Sequence, residues 1–365
     1  MHQPLVPRAL GFAQRTLTWS MMAAYAAALL LPGPGLRLRH LALGAPGTPT
    51  TRITLPSLLL ALVLFSAALH VPLRALPALA RRPLPLLIGT AVNAAVPLIS
   101  LPALALVLHF SPDADGGSGL LTGMALVGAM PVAGGASVWG SRAGGNHSLV
   151  VGIILTSTLL SPLTIPLTLS TASMLAHGHY ARDLGGMAHA GGGAFAAAGV
   201  LAPCLAGLLV QRLVPDRLLA RALPSWKLGA LAGTLMLTYG NACGALTGQL
   251  HHPQPAFVAA SIAVAAGTCV ASFAVGWALA RGLRSDPPDT VSITLASGMN
   301  NSSASAVFAA AHLPAYPQVL MPVLAYSLLQ KLGAGATDAL LHRRRERRPA
   351  PGGAAERPEG AAARG

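Results

Sequence analysis

The chain is built mainly of apolar stretches separated by short polar connections. Ten stretches are candidate membrane spans, the shortest being the first, and they lie at residues 16–31, 53–73, 83–110, 120–140, 149–169, 194–214, 228–246, 255–280, 291–311 and 319–341. Small and polar residues interrupt the fourth span at 129–137 (AMPVAGGAS) and the ninth at 295–305 (LASGMNNSSAS). Interrupted spans expose backbone donors and acceptors, which lipid cannot satisfy but a binding site can use. The pattern therefore predicts a carrier with its site at the two breaks.

The ten predicted spans divide into two groups of five. Because five is odd, the two groups must have opposite orientations, and the interrupted span is the fourth member of each. This arrangement is typical of an inverted repeat. We therefore predict an all-α polytopic membrane protein with a cytoplasmic N-terminus at 1–15, repeats at 16–172 and 194–342, a connecting loop at 173–193 and a disordered basic tail at 343–365.

Composition supports a membrane location. Hydrophobic residues make up 53% of the chain and charged residues only 9%, whereas soluble domains contain about 25% charged residues. The net charge of +14 comes mostly from the tail and from connections that are cytoplasmic when both termini are cytoplasmic. The exceptions on the outer side are Arg37, Arg39, Arg52 and Arg182. The basic residues thus follow membrane topology, which argues against nucleic-acid binding.

Charged residues inside the predicted spans are few. No Asp or Glu lies near the middle of a span, where a sodium or proton carrier usually has one. Lys331 does lie within the tenth span. Its side chain could extend to the cytoplasmic edge or pair with Asp338. Alternatively, its ammonium could replace a coupling cation or contact an anionic substrate.

The polar residues at the breaks are candidates for substrate binding. Asn300, Asn301, Ser302 and Ser303 are consecutive and point around the whole helix, whereas hydrogen bonding between helices would need only one face. The half-helix after each break also exposes N–H groups and a positive dipole end, which favour an anion. The predicted substrate-binding residues are Gly134, Gly135, Ser137, Asn241, Asn301, Ser302 and Lys331.

Three stretches resemble the bile acid:sodium symporter family, in an uncharacterised bacterial branch. They are residues 130–167 (MPVAGGASVWGSRAGGNHSLVVGIILTSTLLSPLTIPL), 297–335 (SGMNNSSASAVFAAAHLPAYPQVLMPVLAYSLLQKLGAG) and 81–98 (RRPLPLLIGTAVNAAVPL). The resemblance implies ten helices in two inverted repeats, with a core domain of helices three to five and eight to ten. It also implies a panel domain of helices one, two, six and seven, and alternating access by movement of one domain against the other.

The resemblance also implies where ions would bind. Positions matching one of the family's sodium sites are Asn93, Ser297, Met299 and Asn300. However, Ala296 replaces the acidic ligand of sodium-coupled members, and Val150 and Ile154 replace hydroxyl ligands of the other site. A cation could still be held by neutral oxygens, but more weakly. These differences argue against sodium coupling.

Together these features predict a secondary transporter of a small organic anion in a bacterial inner membrane. We predict no enzymatic activity, because the spans contain no paired Asp, no His-Glu motif and no intramembrane base near Ser137. No cofactor is predicted, and sodium is the one candidate ion. The expected partners are the substrate and the lipid bilayer. The alternatives are a sodium-independent uniporter or exchanger, and a membrane sensor that binds its ligand without transporting it.

Overall fold

The computed structural model describes residues 5–43, 53–71, 77, 83–109, 115–251 and 253–346. A short antiparallel pair is formed by β1 (Ala42–Leu43) and β2 (Ile53–Thr54). The helices are α1 (Leu5–Arg15), α2 (Leu17–Leu30), α3 (Pro32–His40), α4 (Leu55–Leu69), α5 (Pro83–Leu108), α6 (Ser118–Ala129), α7 (Gly135–Arg142), α8 (His147–Leu175), α9 (Gly178–Leu213), α10 (Asp216–His251), α11 (Pro255–Gly282), α12 (Pro287–Gly298), α13 (Ser302–His312) and α14 (Leu320–Glu346). The predicted disordered tail lies, from residue 347, outside the described residues.

Several of these helices are long and apolar enough to cross a membrane. Five pass by length and composition within the described residues: α5, α8, α9, α11 and the segment Pro317–Leu340, which includes most of α14. The bent pair Trp19–Leu30 and Pro32–His40 would make a sixth. The protein is therefore a helical, multi-pass membrane protein.

The two predicted interruptions are confirmed by the helix ends. α6 ends at Ala129, and the extended conformation of Met130 (φ −79°, ψ 148°) fits a residue that precedes a proline. α12 ends at Gly298 and is followed by an extended Met299. α13 then starts with an N-cap in which Asn301 Oδ1 accepts a hydrogen bond from the Ala304 N–H at 3.1 Å. Each break thus has a local cause in its own sequence.

The prediction of a loop at 173–193 was wrong, because most of this segment is helical. After a short break at residues 176–177, α9 begins at Gly178 and continues to Leu213, with π-helical stretches at Met187–Gly191 and Phe195–Leu201. Glycine-rich composition suggested a loop, but in membrane helices glycine serves close packing. A Cβ at Gly192 would lie 3.3 Å from side-chain atoms of Ile165 and Leu169, so the glycine lets α9 approach α8 closely.

Arg37 and Arg39, which we predicted to lie in a loop, are instead part of a helix. Both lie in α3, which is bent by 98° from α2 and packs along α10. The Tyr239 hydroxyl donates a hydrogen bond to the Leu31 carbonyl at the bend. The Arg39 side chain lies over Gly240 and Gly244, which are one helical turn apart, and its guanidinium occupies the space that a Cβ at Gly244 would need. The positive charge is therefore part of a helix contact.

Candidate functional site

The two breaks meet in the interior as a short antiparallel backbone pair. The Ala133 N–H donates to the Met299 carbonyl at 2.8 Å, and the Asn301 N–H donates to the Pro131 carbonyl at 3.0 Å. Val132 and Asn300 form the bridge between them. Unwound backbone inside a membrane protein needs such partners, because lipid offers none. At the crossing, each break therefore supplies hydrogen-bond partners for backbone groups of the other.

Side chains from two neighbouring helices satisfy further backbone groups at the crossing. Ser157 Oγ of α8 accepts a hydrogen bond from the Val132 N–H at 3.2 Å. The Tyr326 hydroxyl of α14 donates to the Gly298 carbonyl at 3.1 Å, and Tyr326 is only 1% exposed. These contacts fix the crossing between α8 on one side and α14 on the other.

A small cavity lined by both polar and apolar residues lies beside the crossing, and we call it the core cavity. Its lining comprises Asn93, Val96, Pro97, Ser100, Leu101, Leu104, Met124, Val127, Gly128, Thr268, Ser272, Ser297, Asn300 and Tyr326. Three of the four predicted ion-binding residues therefore lie together: Asn93, Ser297 and Asn300. The fourth, Met299, is buried at the backbone pair, where its carbonyl accepts the Ala133 N–H.

Polar side chains around the core cavity bond to one another and to backbone carbonyls. Asn93 Nδ2 donates to Asn300 Oδ1 at 3.0 Å, and the Ser297 hydroxyl donates to the Ile293 carbonyl at 2.6 Å. Ala296, at the position where the resemblance implies an acidic ligand, is fully buried in apolar surroundings. The side chains of the predicted ion site are thus neutral.

Replacing Asn300 by Ala should destabilise the protein by about 1–3 kcal/mol, because the Asn93 amide would lose its buried acceptor. The melting temperature of the detergent-purified variant measures this loss. In a double-mutant cycle, the combined change of Asn93→Ala and Asn300→Ala should cost less than the sum of the two. Additive costs would contradict a direct bond between the two amides.

A second small cavity, which we call the interface cavity, lies where α2 and α10 face α13 and α14. It is lined by Tyr25, Thr238, Asn241, Ser302, Ser303, Ala306, Leu320, Val323, Leu324 and Ser327. Ser302 and Ser303 are the first residues of α13, so the positive end of this helix dipole borders the cavity. Gln330 Nε2 donates to Ser302 Oγ at 3.2 Å. The cavity combines hydroxyl and amide groups with a helix N-terminus.

Four predicted substrate-binding residues belong to this region or adjoin it. Asn241 and Ser302 line the interface cavity. Lys331 Nζ donates to Ser327 Oγ at 3.4 Å, which brings the ammonium next to a hydroxyl of the lining. Asn301 is adjacent in sequence, but its side-chain oxygen caps α13 and its N–H bonds to Pro131. The Asn301 side chain therefore has a structural role at the crossing.

The remaining three predicted residues, Gly134, Gly135 and Ser137, lie at the start of α7 and are not among the residues that line these two cavities. Both glycines are exposed, and a Cβ at Gly135 would lie 3.7 Å from Met299 Cε. Ser137 Oγ donates to the Gly134 carbonyl at 2.8 Å. The structure places this group beside the crossing but apart from Asn241 and Ser302.

Sequence reasoning missed Tyr25, Thr238, Ser327 and Gln330. Ser327 had a usable signal, because it lies four residues before Lys331 and so shares its helix face. Thr238 precedes Asn241 by three residues on α10, which is the same kind of signal. Tyr25 had none, because its approach to α10 depends on the tertiary packing of α2.

Comparison with known proteins agrees with this architecture. The model of the sodium bile acid symporter family matches residues 57–251. The chain belongs to this family. The match to the sodium bile acid symporter family includes the first break and Asn241, and it excludes α2, α3 and the second break. An uncharacterized protein of Bacillus subtilis (strain 168), YbaS, is 28% identical over 257 residues, which is 65% of this chain and 77% of the relative.

Proposed function

We propose that the protein is a secondary transporter of a small organic anion that binds at the interface cavity and widens it. The observation that carries the proposal is the convergence of the α13 N-terminus, the Ser302 and Ser303 hydroxyls and the Asn241 amide on one cavity, with the Lys331 ammonium beside it. The positive end of the α13 dipole and a nearby ammonium favour an anion over a neutral or cationic solute. Membership of the sodium bile acid symporter family supports transport and argues against an enzyme.

The proposed architecture has ten spans in two inverted repeats. Helix α6 with α7 would form the fourth span, and α12 with α13 the ninth. The antiparallel pairing of Val132 with Asn300 supports this proposal, because inverted repeats bring their matching breaks together in opposite directions. The interface cavity then lies between a panel, which includes α2 and α10, and a core, which includes α13 and α14. The same proposal places the protein in a bacterial inner membrane with both termini cytoplasmic.

We propose further that transport does not depend on sodium, in the manner of a uniporter or exchanger. The Asn93 and Asn300 amides bond to each other, and the residue at the acidic position is the buried Ala296. Neutral oxygens hold a hard cation less strongly than a carboxylate does. Lys331 supplies a fixed positive charge near the cavity, so the anion does not need a co-bound cation for charge balance.

A thermal-shift screen of the purified protein tests this function. We expect organic anions to raise the melting temperature, because a ligand that binds the folded state stabilises it by mass action. The shift should be the same in sodium and in potassium buffers of equal ionic strength. Uptake of the stabilising anion into proteoliposomes would then distinguish a transporter from a sensor. A stabilisation that requires sodium would contradict the proposed independence from sodium.

A further inference from the structure

The Tyr25 side chain adds a phenol to the lining of the interface cavity. Tyr25 lies in α2, outside the region matched by the family, and is only 9% exposed. Its ring packs in a small apolar cluster with Ala28 of the same helix and with Ala242 and Cys243 of α10. The ring is therefore held in place by packing on both helices.

The Tyr25 hydroxyl is buried beside Ser327, but no hydrogen bond of normal distance and angle reaches it in the part of the chain that the structure describes. Burying a hydroxyl without a partner is unfavourable, so such groups are uncommon in folded proteins. The same side chain lines the interface cavity together with Asn241, Ser303 and Ser327. A ligand in the cavity can supply the missing acceptor.

The neighbouring Tyr239 shows what a structural tyrosine does in the same cluster. Its ring packs on the same apolar group, but its hydroxyl donates to the Leu31 carbonyl at the bend between α2 and α3. The Tyr239 hydroxyl therefore holds two helices together, whereas the Tyr25 hydroxyl faces the interface cavity beside Ser327 and bonds to no backbone group of the described residues. The Tyr239 phenol thus stabilises the fold, whereas the Tyr25 phenol is available for binding.

We propose that the Tyr25 hydroxyl donates a hydrogen bond to the oxyanion of the substrate and determines specificity for it. This inference rests on the proposed function and adds a donor from α2 to those of α10 and α13. A hydrogen bond from a phenol to a carboxylate is charge-assisted and stronger than one to a neutral acceptor. The donor therefore favours a carboxylate over the corresponding amide.

Substitution of Tyr25 by Phe tests the inference, because it removes one oxygen atom and keeps the ring. Dissociation constants are measured for acetate, butyrate, benzoate and cholate, and for acetamide, butyramide and benzamide as uncharged analogues. For the carboxylates that wild type binds, Tyr25→Phe should weaken binding about tenfold. The melting temperature without added anion should stay the same or rise, because an unpaired buried hydroxyl is lost.

Tyr239→Phe is the matched control. It should lower the melting temperature, because it removes the bond to Leu31, and it should leave carboxylate affinity within about twofold of wild type. If wild type binds carboxylates and Tyr25→Phe binds them equally well, the inference is wrong while the proposed function stands. A lower melting temperature of Tyr25→Phe with unchanged affinity would show a structural role and overturn the inference. If wild type binds none of the probes, the proposed function fails, and the inference fails with it.

Discussion

Replacement of Lys331 by Ala is expected to abolish uptake of the anion into proteoliposomes while leaving the protein folded. The ammonium donates to Ser327 Oγ at 3.4 Å, and Ser327 lines the interface cavity. A charge within a membrane span costs at least about 2.5–3.5 kcal/mol on insertion scales, so removing it should not destabilise the fold. The anion, in contrast, would lose the positive charge next to its site. We expect transport to fall by at least about a hundredfold, which corresponds to roughly 2.7 kcal/mol.

Lys227 is the matched control for this experiment, because it is the other lysine of the chain and lies in α10 away from the interface-cavity lining. Lys227→Ala should transport the anion at close to the wild-type rate. Melting temperatures of both variants show whether each is folded. Wild-type uptake by a folded Lys331→Ala variant would rule out a role of the ammonium in transport and would support the alternative that the side chain extends toward the membrane edge.

Replacement of Gly123 by Ala is expected to be the most destabilising of the single-methyl changes that we consider. Gly123 lies in α6 against α14, where an added Cβ would overlap the Pro322 ring and lie 2.7 Å from the Val319 carbonyl oxygen. A proline ring and a backbone carbonyl cannot move aside as a flexible side chain can. Overpacking of this kind costs about 1–3 kcal/mol. It would also displace α14, whose Tyr326 bonds to the crossing at Gly298, so transport should fall as well.

Two glycines of α10 provide controls for this prediction. A Cβ at Gly248 meets nothing within 4 Å, so Gly248→Ala should leave stability unchanged or raise it slightly. Gly244→Ala would displace only the mobile end of Arg39, so its cost should be smaller than that of Gly123→Ala. Melting temperatures of the three variants in one detergent give the order. A Gly123→Ala variant as stable as Gly248→Ala would contradict the tight contact between α6 and α14.

The sequence was most informative where a local chemical signal determines the structure. Pro131 disfavours a helical conformation of the residue before it, and the Asn301 side chain caps the helix that follows. Both breaks could therefore be predicted. Their meeting in the interior could also be anticipated, because they are the fourth members of the two predicted groups of five spans. Membership of the family could likewise be predicted, because the motifs around the breaks are specific to it.

Features that depend on packing between distant segments were not predictable. The glycines before Phe195 suggested a loop, although Gly192 instead lets α9 pack closely on α8. Arg39 was assigned to a loop because its place over Gly240 and Gly244 requires the bend after α2. Tyr25 belongs to an apolar helix and becomes a cavity residue only through its contact with α10.

The backbone pair at the crossing has a consequence for how the molecule can move. Asn301 caps α13 through its side chain and bonds to Pro131 through its N–H, so one residue couples the two breaks. A hinge at either break would have to separate this pair and expose its backbone groups. The two breaks should therefore move as one rigid unit. For the proposed transporter, this rigidity favours a change of state at the surface where α2 and α10 meet α13 and α14 over a hinge at either break.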